Sequence, residues 1–109
     1  MPVYMIIEID IEDEAMYSRY IDHVYHIVTH HGGRYLARSG EVMPLSGDWR
    51  PDRIVLIEFE TFEQLQACFS APEYRSLAPL RERSTRSRAI VVPHWAEERD
   101  QSSRKKRTL

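Results

Sequence analysis

The spacing of apolar residues predicts a strand and then a helix in the first third of the chain. Residues 3–10 are β-rich, and alternate positions share a face, as in a strand. Between residues 12 and 31 the apolar positions recur at three- and four-residue steps, as in an amphipathic helix. Its inward stripe is Tyr17, Tyr20, Ile21, Val24, Val28 and His31. Asp10 or Asp13 can cap its start, and Gly32 with Gly33 can end it.

A hairpin-like pair of strands is expected next. Residues 34–39 alternate as a strand, and Gly40 predicts a bend or bulge. Residues 41–45 are expected to continue as an edge segment, because Pro44 cannot donate to a central ladder. Residues 53–60 form the strongest predicted strand of the chain.

The remaining elements are a broken helix and a last strand. Thr61 starts a capping-box pattern, which predicts a second helix. Pro72 interrupts that helix and can open a further turn, which Pro79 limits or kinks. Residues 87–95 are the last predicted strand. We therefore expect a folded domain over residues 1–96 and a disordered, charged tail over residues 97–109.

The element order β-α-β-β-α-β predicts an α+β, ferredoxin-like fold. Right-handed crossovers are expected to make the first and third strands parallel neighbours in the middle of the sheet. Two helices would cover one face only. The other face is too apolar to remain in water, which predicts a homodimer in which a second sheet covers it. Its apolar residues are Tyr4, Ile6, Ile54 and Leu56.

Charge and cysteine content exclude several classes of protein. The 109 residues carry a formal net charge of −2, which argues against a nucleic-acid binder. The basic run at residues 104–107 is expected to be solvated. Cys68 is the single cysteine, so no internal disulfide forms, and its inward position predicts a buried, inert thiol. The short, acid-interrupted N-terminal apolar run predicts neither a signal peptide nor a membrane span, hence a cytoplasmic protein.

Several short motifs together resemble one family. They are Gly32-Gly33-Arg34, Gly47-Asp48-Trp49-Arg50-Pro51 with Arg53, Glu58-Phe59, and Pro72-Glu73-Tyr74. In this combination, over about residues 3–92, the chain resembles the small bacterial family catalogued as domain of unknown function 1330. The resemblance implies the dimeric α+β barrel superfamily, in which two ferredoxin-like sheets pack face to face. Its branches include cofactor-independent oxygenases, haem-binding enzymes and lactone isomerases, so the resemblance implies no particular reaction and no catalytic residue.

Four charged residues form the first candidate site. Glu8 and Glu58 are expected on the uncovered face, toward the same end of two parallel strands, with Arg34 beside Glu58 and Arg88 beside Glu8. Such a cluster could bind an anionic substrate, and Glu58 with a raised pKa could act as a catalytic base. The alternative is an ion-pair network at a dimer interface, where burial demands paired charges.

Three aromatic residues form the second candidate site. Tyr20, Tyr74 and Trp49 can line a ligand cleft with their rings while the O–H or N–H reaches a polar group. Tyr20 also fits the helical core stripe, so core packing remains open for it. Trp49 lies in the predicted loop before the third strand, where an aromatic residue often serves recognition.

A metal site is a weaker hypothesis, and no cofactor is predicted. His23, His26 and His30 fall within an arc of about 60° on the first helix. No glutamate completes the helical zinc pattern between them, so a solvent-facing histidine cluster is expected.

Two functions follow from these patterns. The first is the binding of a small organic molecule that carries a carbonyl or carboxylate, extended by the hypothesis of its conversion without a cofactor. The ligand-binding residues would be Glu8, Tyr20, Arg34, Trp49, Tyr74 and Arg88. The second is a structural or regulatory homodimer module with no small-molecule substrate.

Overall fold

Four strands and three helices make up residues 1–96, the part of the chain that the computed structural model describes. The elements are β1 (Val3–Ile11), α1 (Glu14–His30), β2 (Arg34–Ser39), β3 (Arg53–Phe59), α2 (Phe62–Ser70), α3 (Pro72–Ser84) and β4 (Thr85–Pro93). This arrangement confirms the α+β, ferredoxin-like fold. The expected disordered tail, with its basic run, lies outside the described residues.

The sheet has the strand order β2-β3-β1-β4, and each neighbouring pair is antiparallel. The prediction that the first and third strands are parallel is therefore wrong. The right-handed crossover through α1 relates β1 to β2, which are parallel but not adjacent. The chain then reverses after β2, and β3 inserts between them in the opposite direction.

Helix α1 begins and ends as its flanking residues dictate. Of the two predicted caps, Asp13 accepts a hydrogen bond from the Met16 backbone N–H at 3.0 Å. Gly32 follows the helix with a φ of +88°, a conformation that favours glycine. A Cβ on Gly33 would lie 2.6 Å from Cγ1 of Val28 and 2.9 Å from Cζ of Phe59. The chain therefore leaves α1 pressed directly against β3.

The connection between β2 and β3 differs from its prediction. Residues 41–45 form no strand, and Leu45 is 98% exposed. Gly40 lies at a bend, whereas the irregularity in strand pairing falls between Tyr35 and Ala37. Because Pro44 lacks an N–H and no partner strand lies beside it, these residues continue as a loop.

Helix α3 extends further than predicted. It runs through Pro79 to Ser84, so the prediction that Pro79 limits this piece is wrong. Buried residues on both sides of the proline, Leu77 and Ser84, hold the helix against the domain. The Thr61 cap is confirmed, because its side chain accepts from the Gln64 backbone N–H at 3.1 Å.

The core lies between the helices and one face of the sheet. Phe59, Val28 and Cys68 are fully buried there. The burial of Cys68 agrees with its prediction and raises the pKa of the thiol to about 11. The opposite face has no covering element within residues 1–96, and Ile90 on it is 61% exposed. Among the described helices, none is both long and apolar enough for a bilayer.

Candidate functional site

A cavity of about 320 Å³ lies between the sheet and the helices. This volume is in the range of pockets that bind small molecules. Apolar side chains of β1 and β3 form its floor, and α1 and α3 contribute its walls. Its apolar lining includes Met5, Ile7, Val24, Val55, Ile57 and Phe69.

The cavity opens beside β4. Ala89 pairs with Ile7 and faces the helices, yet it is exposed. The helices therefore leave this part of β4 uncovered. A methyl side chain at this position also leaves room that a larger residue would fill.

Two tyrosines and an arginine form a polar end of the cavity. The Tyr20 and Tyr74 hydroxyls lie 3.0 Å apart and share a hydrogen bond. Arg81 donates from Nε to the Tyr74 hydroxyl at 3.2 Å and from Nη1 to Oγ of Ser87 at 2.9 Å. Its ion pair with Glu82 is loose, at 3.7 Å, and Glu82 is exposed. Arg81 is thus oriented by neutral partners, with its charge only weakly compensated.

The hydroxyls in this cavity are neutral hydrogen-bonding groups. Burial, together with the neighbouring Tyr74, raises the pKa of Tyr20 far above its ordinary value. Burial also raises the pKa of Tyr35 to about 12. Among the described residues that line the cavity, none is Asp, Glu or His. The cavity can therefore hydrogen-bond and charge-pair with an oxygen-bearing ligand, but its lining supplies no carboxylate or imidazole base.

The charged candidate site is divided between the two ends of the uncovered face. Arg34 pairs with Glu58, and Nε of Arg88 lies 2.6 Å from Oε1 of Glu8, so both predicted contacts are confirmed. Glu58, however, lies opposite Tyr4, four residues from Glu8 along β1 and about 13 Å away. The expected single cluster is therefore wrong, because it depended on parallel strands.

Trp49 is also placed on the uncovered face. Its Nε1 donates to Oε2 of Glu8 at 3.1 Å, on the opposite side of the sheet from Tyr20 and Tyr74. The predicted aromatic cleft thus contains the two tyrosines but not the tryptophan. Hydrogen bonds from Arg88 and Trp49 hold the pKa of Glu8 below its ordinary value, so this carboxylate is an anchor for donors.

The histidine cluster lies on the solvent side of α1. His23, His26 and His30 are exposed, and Nδ1 of His23 lies 3.0 Å from the Arg19 carbonyl oxygen. Within residues 1–96 no group of three or more His, Cys, Asp or Glu side chains could hold a metal ion.

Arg81 is the main residue that sequence reasoning missed. It lies seven residues after Tyr74, so the two share one face of α3. That spacing was a usable signal. A helix that ends or kinks at Pro79, as the sequence predicts, would not bring the two side chains together, whereas the continuous helix does.

Solved structures place the fold in a known class. The structure is similar to a protein of unknown function from Rhodopseudomonas palustris, with 17% identity and a TM-score of 0.75 over 87% of this chain and 83% of that one. SnoaB, a cofactor-independent oxygenase from Streptomyces nogalater, gives 7% identity and 0.65 over 87% and 94%. A dimeric ferredoxin-like protein of unknown function from Thermobifida fusca gives 12% and 0.61 over 84% and 89%. These similarities show that the chain has a ferredoxin-like fold.

The family is shown by the sequence itself. Residues 2–95 match the family described as Domain of unknown function (DUF1330), and the chain belongs to it. A search among functionally curated proteins found no match. At the identities given above, the structural similarities show the fold and not the chemistry.

Proposed function

We propose that this protein binds a small organic molecule that carries a carbonyl or carboxylate, in the cavity between the sheet and the helices. The cavity itself supports this proposal most strongly. The cavity opens beside β4, and its lining is mainly apolar with a few polar groups at one end, as in pockets that bind small molecules. A cavity of about 320 Å³ in so small a domain fits a ligand better than it fits a packed core.

Different side chains would bind different parts of the ligand. Arg81 supplies positive charge, and the Tyr74 and Tyr20 hydroxyls orient the oxygen atoms of the ligand. The apolar floor holds the carbon skeleton and excludes water. Glu58, the predicted catalytic base, is paired with Arg34 on the other face, so we assign the cavity binding alone. Conversion without a cofactor would require the ligand itself to be reactive.

We also propose that a second copy of the chain covers the uncovered face. This face carries apolar side chains along all four strands and ion pairs near both ends. One structural neighbour is described as a dimeric ferredoxin-like protein. Face-to-face packing of two such sheets would remove the apolar strip from water.

A structural or regulatory homodimer without a ligand is the second candidate function. The full pairing of Glu8 and Glu58 favours it, because paired charges are what an interface requires and what a substrate would have to displace. The two candidates differ in what they expect of the cavity. Only the first expects a ligand to stabilise the protein.

A thermal-shift screen with matched ligands tests the binding proposal. The panel pairs aromatic and aliphatic carboxylates with their primary amides and methyl esters. A ligand present at about a hundred times its Kd stabilises the fold by about 2.7 kcal/mol, or roughly 10 °C or more in Tm for a domain of this size. Carboxylates are expected to act more strongly than their neutral partners.

Two arginine variants of the same helix provide the control. Arg81→Gln should weaken carboxylate binding about tenfold or more, because it removes a charge-assisted hydrogen-bond donor. Arg83→Gln, an exposed arginine two residues further along α3, should bind as the wild type does. Equal binding by the two variants, or no stabilisation by any ligand, would count against the proposal.

A further inference from the structure

Two arginines lie on the neighbouring strands β2 and β3, on the face of the sheet that the helices cover. Arg38 on β2 pairs with Val55, and Arg53 stands two residues before Val55 on β3, so both face the helices. Such diagonal neighbours have Cβ atoms about 7–8 Å apart. The two guanidiniums carry like charges, and any repulsion between them lowers stability unless something compensates for it.

No carboxylate compensates for them in the described part of the chain. The structure records no ion pair for Arg38 or Arg53 within residues 1–96. Aromatic rings support both instead. The Arg38 guanidinium carbon lies 5.3 Å and 5.2 Å from the ring centroids of Tyr25 and Tyr35, and that of Arg53 lies 5.7 Å from Tyr17. Ring faces stabilise a cation but leave its hydrogen-bond donors free.

One of these donors is buried without a partner. Nε of Arg53 is inaccessible to solvent and makes no hydrogen bond. An unsatisfied buried donor is rare in folded proteins and lowers stability, more so when it is charged. Nε itself is not accessible to a ligand, so any anion would have to meet the remaining guanidinium donors of Arg53 and Arg38, which have no carboxylate partner within residues 1–96.

The two arginines adjoin the cavity at the end remote from Arg81. Tyr17, Tyr35 and Arg38 line it, and Arg53 packs against Tyr17. Arg81, in contrast, contacts Ser87 on β4. Since β2 and β4 are three strand spacings apart, about 14 Å separates the two ends across the sheet.

The electrostatic surroundings of this end are predominantly positive. Arg53 and Arg38 both favour ionisation of the Tyr17 hydroxyl, although its burial outweighs them and raises the pKa. Glu14, which is exposed in the first turn of α1, has the opposite effect and raises the pKa of the same hydroxyl. Two guanidiniums therefore face one solvated carboxylate.

We propose that Arg38, Arg53 and the Tyr17 hydroxyl form a second subsite that binds an oxyanion group. The ligand would then be elongated, with an anionic substituent at this end and a carbonyl or carboxylate at the Arg81 end. The shape of the ligand rests on the proposed function. The oxyanion subsite stands on its own residues, and it can be tested without an organic ligand.

Inorganic phosphate is the probe for this subsite. Its binding is measured by calorimetry and by Tm at low millimolar concentration, with chloride holding the ionic strength constant. Wild-type protein should bind phosphate saturably. Arg38→Gln and Arg53→Met should each raise the Kd about tenfold or more, because each removes a charge-assisted donor. Arg83→Gln, the exposed arginine of α3, should leave the Kd unchanged.

The outcomes separate this inference from the proposed function. Wild-type protein that responds to phosphate no more than to chloride, or an Arg38→Gln variant that binds it as wild type does, would overturn the subsite. Loss of phosphate binding in Arg81→Gln but not in Arg38→Gln would also overturn it. If Arg53→Met does not fold, Arg38→Gln decides, because Arg38 is exposed on an edge strand. Organic carboxylates that bind through Arg81 would still support the proposed function.

Discussion

The two faces of the sheet differ in whether their charged side chains have partners of opposite charge. On the uncovered face, Glu8 and Glu58 each pair with an arginine. On the covered face, Arg38 and Arg53 have no carboxylate partner within residues 1–96, and a cavity remains between helices and sheet. The uncovered face therefore lacks only apolar cover. The covered face has that cover, but its two arginines have no carboxylate partner within residues 1–96 and it contains a cavity. A ligand can supply the negative charge and the packing atoms.

The ion pairs of the uncovered face do not explain the stability of the fold. Arg34 and Arg88 are 70% and 81% exposed, and exposed pairs contribute about 0–1 kcal/mol. Most of the stability must come from the core on the covered face. The following predictions test this difference between the faces.

The largest effect is expected in the core. Phe59→Ala should lower the free energy of unfolding by about 3–5 kcal/mol, because it removes a fully buried ring from the covered face. Urea denaturation measures the change. Phe62→Ala is the matched control, since Phe62 is 44% exposed and should cost less than about 1 kcal/mol. Equal costs at the two positions would show that the core lies elsewhere.

An intermediate effect is expected on the uncovered face. Leu56→Asp places a carboxylate in the apolar strip, and two copies would bury both charges against each other. The dimer Kd should rise at least about a hundredfold, which corresponds to about 2.7 kcal/mol. Sedimentation measures it, with circular dichroism to confirm the fold.

Phe62→Asp is the control for this interface, because Phe62 begins α2 and lies away from the uncovered face. It should leave the dimer intact. A wild-type protein that is monomeric at micromolar concentration would contradict the proposal that a second copy covers the apolar strip.

The smallest effect concerns pH. The pKa of Glu8 lies below its ordinary value of 4.5, so the folded state favours the charged form. Its contribution to stability is present above pH 4.5 and is lost as the pH falls through the lowered pKa. The Tm difference between wild type and Glu8→Gln should therefore shrink between pH 6 and pH 3. Glu60→Gln, an exposed control, should show a smaller change, and a Glu8→Gln difference that is constant with pH would contradict the assignment.

Local rules explain what the sequence predicts well. The cap at Thr61 and the inward stripe of α1 depend on residues three or four positions apart. The Arg34–Glu58 and Arg88–Glu8 contacts depend only on which strands are neighbours and which face each residue takes. Strand direction depends on the connections instead: the crossover through α1 makes β1 parallel to β2, and the reversal after β2 makes β3 antiparallel to both. The error in the direction of β3 therefore moved Glu58 to the wrong end of the site.

Such local rules do not predict the cavity. Periodicity shows which side chains point inward. Whether a cavity remains depends on how the side chains of three or four elements pack against each other. Tyr20 and Tyr74 could be brought together from sequence, whereas the opening beside Ala89 could not. Trp49 lies in a loop without periodicity, so its bond to Glu8 had no sequence signal.

The pairing of β1 with β4 has a consequence for how the chain folds. Within residues 1–96, β1 precedes the other strands and is central in the sheet, yet one of its two neighbours is β4, the strand furthest from it along the chain, with Val3 paired to Pro93. Nearly the whole domain must therefore emerge from the ribosome before β1 has both partners. Contacts of such large sequence separation slow folding, and an unpaired central strand is prone to aggregate in the meantime.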